Sequence, residues 1–209
     1  MDATDARVLL IDDDEDVRGA LSRLLRSAGW RVTSFASAQA FLDSGTIDAF
    51  DCLVLDIRMP GVSGPELHAI LRAHGSLLPV IFLSGYCDVR MSVEAMKLGA
   101  TNVLEKPADA DLLMQAVADA VEQHGQDLLR RDAADAFGSR LDSLSPRERE
   151  VMQHVIAGRL NKQIAADLGI AEKTVKVHRG RMMAKMRVRS VADLVHQCDR
   201  FGLAEMATT

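Results

Sequence analysis

Along residues 7–123, short unbroken apolar runs alternate with stretches where apolar residues recur every three or four positions. The runs RVLLI at 7–11, CLVL at 52–55 and PVIFL at 79–83 are each closed by acidic residues or by Ser-Gly, and read as strands buried on both faces. Weaker runs at 30–34 and 101–104 read the same way. The stretches between them predict helices. One covers about 15–28, with Val17, Leu21, Leu24 and Leu25 on one face and Gly29 stopping it. Others cover 37–44, 64–74 (stripe Leu67, Ile70, Leu71) and 88–98, and a last one opens near Asp109. Five strand–helix units in succession predict a doubly wound α/β domain, a parallel sheet covered by helices on both faces. Right-handed crossovers then bring every strand's carboxyl end to one edge.

The pattern changes beyond this domain. Leu112, Leu113, Ala116, Val117, Ala120 and Val121 mark an amphipathic helix, and no proline interrupts the chain between Pro107 and Pro146. Gly125 costs only about 1 kcal/mol in a helix interior. The helix is therefore expected to run through Leu128 and Leu129 towards residue 135, with 132–135 as its solvated end. From Leu144 onward, four short helices are predicted. Ser145-Pro146-Arg147-Glu148 opens the first as N-cap, first-position proline and capping-box glutamate, and Gly158 ends it. Asn161 is expected to cap the second, over 162–168, and Gly169-Ile170-Ala171 turns into a third at 172–186. A fourth holds 191–198. A short helix, a glycine turn and a longer helix make the helix-turn-helix arrangement.

Charge sharpens the division. Residues 1–124 carry 19 acids and 10 bases, whereas residues 141–209 carry 8 acids and 12 bases. An acidic front and a basic back point to two domains, the second with a polyanionic partner. On the third helix of the second half, Val175, Met182, Met183 and Met186 suit a core. Lys173, Lys176, Val177 and Gly180 fall on the outer side, with Arg179 and Arg181 flanking. A basic helix face is commonly just solvated; as the exposed face of the second helix of such a motif it predicts double-stranded DNA contact. Three widely spaced cysteines, Cys52, Cys87 and Cys198, show no metal spacing and are expected to be reduced, packed thiols. No apolar stretch approaches a membrane span, so the expectation is a soluble cytoplasmic protein.

The strand ends carry the chemistry. Asp12 and Asp13 follow the first strand, Asp56 follows the third, Ser84 the fourth and Lys106 the fifth. Acids at 14–16 suit a helix N-terminus, but Asp12 and Asp13 stand too early for that role. Clustered carboxylates suit a hard divalent cation, most simply Mg²⁺. The cation keeps Asp56 ionised, and an ionised carboxylate can attack phosphorus to form an acyl phosphate. Lys106 would stabilise the transferring group, and Ser84 would bond a phosphoryl oxygen.

These residues, in IDDDEDVR, LDIRMPGVSG, FLSG and LEKP, resemble the receiver domain of two-component response regulators. The segment LSPREREVMQHVIAGRLNKQIAADLGIAEKTVKVHRGRMMAKM is similar to a LuxR-type output domain, and the pairing resembles the NarL/FixJ class on its FixJ side. The resemblance implies a receiver at 7–123 with the flavodoxin-like strand order 2-1-3-4-5, a linker helix at 124–139 and a DNA-binding domain at 140–203. It implies phosphorylation of Asp56 by a sensor histidine kinase and Mg²⁺ held by Asp12, Asp13, Asp56 and the Arg58 carbonyl. Lys106 would hold the phosphoryl group, with a cis bond before Pro107, and Ser84 would act as the switch hydroxyl. DNA contacts fall to Lys162, Lys173, Thr174, Lys176, Val177, Arg179 and Arg181. A homodimer on phosphorylation is expected through helix 88–98 (Met91, Val93, Met96, Lys97), strand 101–104 and helix 109–123 (Leu112, Leu113, Gln115), with RNA polymerase a further candidate partner. Two departures stand out. Val103 occupies the place of an aromatic rotamer gate, which leaves backbone movement or Tyr86 to carry the Ser84 shift, and Gly180 replaces a larger residue. An aspartate-nucleophile phosphatase is the enzymatic alternative, but Arg58 stands where its general acid would be. A docking receiver without phosphorylation would not need the full acid pocket.

Overall fold

The computed structural model describes residues 6–46, 49–85, 93 and 95–202. Five parallel strands, β1 (Arg7–Ile11), β2 (Arg31–Phe35), β3 (Cys52–Asp56), β4 (Val80–Ser84) and β5 (Asn102–Glu105), form one sheet in the order β2-β1-β3-β4-β5. The period-two alternation along each strand sorts two cores. Leu9, Ile11, Leu53, Leu55, Val80 and Phe82 face one side, where α2 (Ala38–Ser44) brings Phe41 and α3 (Gly64–Ala73) brings Leu67 and Leu71. Val8, Leu10, Cys52, Val54, Ile81 and Leu83 face the other, beneath Leu21 and Leu25 of α1 (Glu15–Ser27) and Leu113, Ala116, Val117 and Ala120 of α4 (Ala110–Asp142). Burial on both faces is why β3 and β4 are continuously apolar until Asp56 and Ser84.

The strands sit within one residue of their expected places. Of the expected helix 88–98, Val93 and 95–98 are described: Val93 and 95–97 are helical and Leu98 is in a turn, while Tyr86, Cys87 and Met91 lie outside the described residues. Leu113 is fully buried against the sheet, so it does not join Leu112 on the exposed face expected for dimerisation. Leu112 is 61% exposed, alongside Val93 at 46% and Met96 at 52%.

Helix α4 continues past residue 135 to Asp142. The reason is packing. Phe137 is buried in a third hydrophobic core, separate from the two on the sheet, and Leu141 packs on it, so the helix is held at its far end and 132–135 is a solvated middle turn instead of a fraying terminus. The chain divides into two compact units between Leu129 and Arg130.

The second unit contains α5 (Pro146–Ile156), α6 (Asn161–Leu168), α7 (Glu172–Met186) and α8 (Val191–Arg200). Its core gathers Val151, Met152, Val155, Ile164, Val175, Met182, Met186 and Leu194. Ser145 caps α5 as expected: its Oγ accepts from Glu148 N at 3.3 Å, and Glu148 Oε2 accepts from Ser145 N at 2.9 Å. Asn161 does not cap α6. Leu160 is the N-cap, its backbone N donating to Gln163 Oε1 at 2.8 Å, and Asn161 is the first helical residue. Its amide is used elsewhere, accepting from Arg179 of α7 at 2.8 Å. Among the described residues no helix is long and apolar enough to cross a membrane.

Glu148 is almost fully buried, and its carboxylate also accepts from Lys185 Nζ at 2.6 Å. The Lys185 bond, then the Ser145 amide, hold its carboxyl down to about 2. A depressed folded value stabilises fully above the unfolded value, near 4.3 for Glu, and that contribution is lost as pH falls towards 2. Calorimetric unfolding of the second unit should therefore drop more steeply between about pH 4.5 and pH 2.5 in the wild type than in Glu148→Gln. Parallel pH profiles would remove Glu148 from the acid transition.

Candidate functional site: an acidic pocket at the sheet edge and a basic helix

Asp12 follows Ile11, which pairs in register with Leu55, so Asp12 and Asp56 lie at the same level at the carboxyl edge of adjacent strands. Asp12 is fully buried, Asp56 is 6% exposed and Asp13 is open to solvent. Ligand oxygens from all three lie within 4.8 Å of one another. Lys106 reaches in from the end of β5, its Nζ 2.6 Å from Asp12 Oδ2 and 3.0 Å from Asp56 Oδ2. Its backbone N donates to Ser84 O at 2.7 Å, which ties the ends of β4 and β5. The Lys106–Pro107 bond is cis. Ser84 is buried at the end of β4.

Burial pushes the Asp12 carboxyl up, against the pull of the Lys106 ammonium. Burial alone would push Lys106 down, but its bonds to Asp12 and Asp56 outweigh this and raise it. Three carboxylates facing one ammonium leave local negative charge that a divalent cation would offset. The donor set fits such an ion: carboxylate oxygens only, with one partner open to water as Mg²⁺ prefers. Asp13, Ile57, Arg58, Met59, Pro60, Ser63 and Pro65 line a cavity of about 580 Å³ that opens beside the acids.

Two supports of this pocket were not expected from the sequence. Arg18 of α1 donates through Nη1 to the carbonyl oxygens of Asp12 at 2.8 Å and Asp13 at 3.3 Å, and so holds the loop that presents both acids. Gly64, the first residue of α3, donates to Ile57 O at 3.1 Å. A side chain there would overlap the Asp56 carbonyl oxygen, so only glycine lets α3 start against the end of β3.

In the second unit, Gly169 (φ 64°) makes the left-handed turn between α6 and α7. Val175, Met182 and Met186 of α7 are buried, while Lys173, Thr174, Lys176, Val177, Gly180 and Arg181 are exposed. Lys162 is exposed on α6. Lys176 pairs with Glu172 at 3.4 Å, a surface ion pair that costs little to exchange for another anion. Arg179 is half-buried and held by Asn161.

Residues 8–118 match the response regulator receiver domain, and residues 142–198 match the bacterial regulatory proteins of the luxR family. The chain belongs to the response regulators. It is 44% identical over 197 residues to the transcriptional regulatory protein FixJ of Azorhizobium caulinodans, covering 94% of this chain and 93% of that one. It is 42% identical over 205 residues to nodulation protein W of Bradyrhizobium diazoefficiens, covering 97% and 89%. Among solved structures, that of the response regulator StyR is similar over 93% of this chain and 99% of its own, with TM-score 0.85 and 42% identity. Full-length FixJ from B. japonicum is similar over 95% and 98%, with TM-score 0.57 and 41% identity. This response regulator is thus a FixJ-like transcription regulator, a receiver joined to a LuxR-type DNA-binding output, in a family that is generally not enzymatic. A receiver implies a histidine kinase as partner, and the helix-turn-helix implies DNA.

Proposed function

We propose that this response regulator is phosphorylated on Asp56 by a sensor histidine kinase in the cytoplasm, dimerises and then binds promoter DNA to control transcription. The observation that carries the reading is Lys106 bridging Asp12 and Asp56 beside Asp13. Asp56 is the nucleophile: its carboxylate oxygen forms the bond to phosphorus, while the kinase histidine nitrogen leaves. Asp12, Asp13, Asp56 and the Arg58 carbonyl would hold Mg²⁺, which neutralises phosphoryl oxygens when bound. Lys106 supplies the remaining positive charge, and Ser84 offers a hydroxyl to a phosphoryl oxygen. The phosphorylated unit is assigned to 7–123, the connecting segment to 124–139 and the DNA-binding unit to 140–203. The family matches fall inside the two outer ranges, and Phe137 extends the core of the C-terminal helices back into the connecting segment.

Lys176 and Val177 are assigned to base edges, Lys173 and Thr174 to the groove, and Lys162, Arg179 and Arg181 to phosphates or the groove rim. Exposure of the outer face of α7 supports this, and the Asn161 bond fixes the direction of Arg179. The dimer face is assigned to exposed Val93, Met96 and Leu112, with Leu113 withdrawn into the core. RNA polymerase remains a proposed further partner. Val103 is too short to swing as an aromatic ring does and packs beside the first core, so the switch is expected to be shallow. Sedimentation should show some dimer before activation and more after a beryllofluoride mimic is added to Asp56. A strict monomer in both states that binds a palindromic site with unchanged affinity would rule the dimer mechanism out.

A further inference from the structure

The last turns of α4, up to Leu141, precede the luxR-family match, which begins at residue 142, yet they grip the carboxyl end of α7. Arg140 Nη1 donates to Met186 O, the last helical carbonyl of α7, at 3.1 Å, while its Nε donates to Ala136 O on its own helix at 3.1 Å. The guanidinium lies 5.5 Å from the centre of the buried Phe137 ring, and Phe137 stacks on Phe201 at 4.7 Å. Lys185 of α7 donates to Ser143 O at 2.8 Å and to Glu148 Oε2 at 2.6 Å. A helix end leaves carbonyls without intrahelical partners and carries partial negative charge. Here both needs are met by a cation from the helix that continues out of the first unit.

We propose that Arg140, assisted by Lys185, is a positioning residue for DNA recognition: it fixes the axis of α7 without touching DNA. The inference rests on the reading of α7 as the DNA-contacting helix. Its lever is long. Fifteen residues span about 22 Å, so a tilt of only a degree or two at the clamped end moves side chains at the other by roughly 0.5 Å, the tolerance of a precise site. Phosphate contacts by flexible lysines and arginines absorb such a shift, whereas short-range base contacts do not. Loss of the clamp should therefore reduce discrimination more than general affinity.

The test uses the full chain activated with beryllofluoride, a duplex selected by the wild type from a random pool, and a scrambled duplex of equal length. Arg140→Gln should weaken binding to the selected duplex about tenfold, the loss of one good base contact. Binding to the scrambled duplex should stay within about twofold, and the salt slope should not change. If Arg140→Gln does not fold, Arg140→Lys keeps the charge but loses the two-carbonyl fork, and should show the same pattern at smaller amplitude. Equal weakening on both duplexes with a salt slope lower by about one would make Arg140 a phosphate contact and overturn the proposal. A lower melting temperature with unchanged affinity per folded molecule would overturn it too, leaving a packing residue. Lys176→Ala serves as reference. If it weakens binding while the Arg140 variants do not, the clamp alone fails; if it has no effect, the DNA-contact reading fails and the clamp with it.

Discussion

Asp56→Asn should abolish labelling by a radioactive small-molecule phosphodonor in Mg²⁺, to background. The amide that replaces the carboxylate has no anionic oxygen to attack phosphorus and cannot form the acyl phosphate. Asp12 and Asp56 are both buried and both contact Lys106, and Asp56 has the looser hold, at 3.0 Å. Asp13 is solvent-exposed and Asp12 is committed to Lys106 at 2.6 Å, so neither is placed to take over. The loss should not come from unfolding. Removing one of three carboxylates whose oxygens lie within 4.8 Å relieves repulsion, and Lys106 keeps its shorter bond to Asp12. The variant should therefore melt no lower than the wild type while binding Mg²⁺ more weakly. Label retained at the wild-type level would move the nucleophile elsewhere.

Gly64→Ala should damage both the stability and the chemistry of the receiver. The added methyl would overlap the Asp56 carbonyl oxygen and come within 3.1 Å of Ile57 Cα and Phe82 Cε1. Two of these three neighbours are backbone at the Asp56 end of β3, and the third is a fully buried ring. None can move aside as a flexible side-chain tip would, so the strain falls on the junction of β3 and α3. Overpacking of this kind costs about 1–3 kcal/mol. The denaturation midpoint of the receiver, followed by the fluorescence of Trp30, should fall accordingly, and labelling of the remaining folded protein should be slower because Asp56 is displaced. An unchanged midpoint would mean that α3 shifts freely on the sheet, and that glycine is not required there.

Much of this protein is legible from local pattern. The strands are unbroken apolar runs because two helical layers bury both faces, and the polar residues that end those runs at Asp12, Asp56 and Ser84 are the ones that reach the sheet edge. The capped start of α5 and the length of α7 were equally plain, because caps, glycines and a 3.6-residue period act within a few positions. Periodicity states which face of a helix is apolar, but not where the face's edge falls or what covers it. Leu113 and Leu112 are adjacent in the apolar stripe, and only the seating of α4 on the sheet buries the first and exposes the second. Residues 132–135 have the composition of a frayed helix end; Phe137, buried in a core built mainly from later residues, and Leu141, partly buried against it, carry the helix to Asp142. Hydrogen bonds between distant positions leave no local trace. Arg140 and Met186 are 46 residues apart, Lys185 and Glu148 are 37 apart, and Arg179 and Asn161 are 18 apart. Arg18 looks like any surface arginine on an amphipathic helix until the fold turns it onto the Asp12 and Asp13 carbonyls. Local chemistry determined the elements and the acids at their ends; the tertiary fold decided which backbone groups and charges meet, because those contacts exist only after distant segments pack.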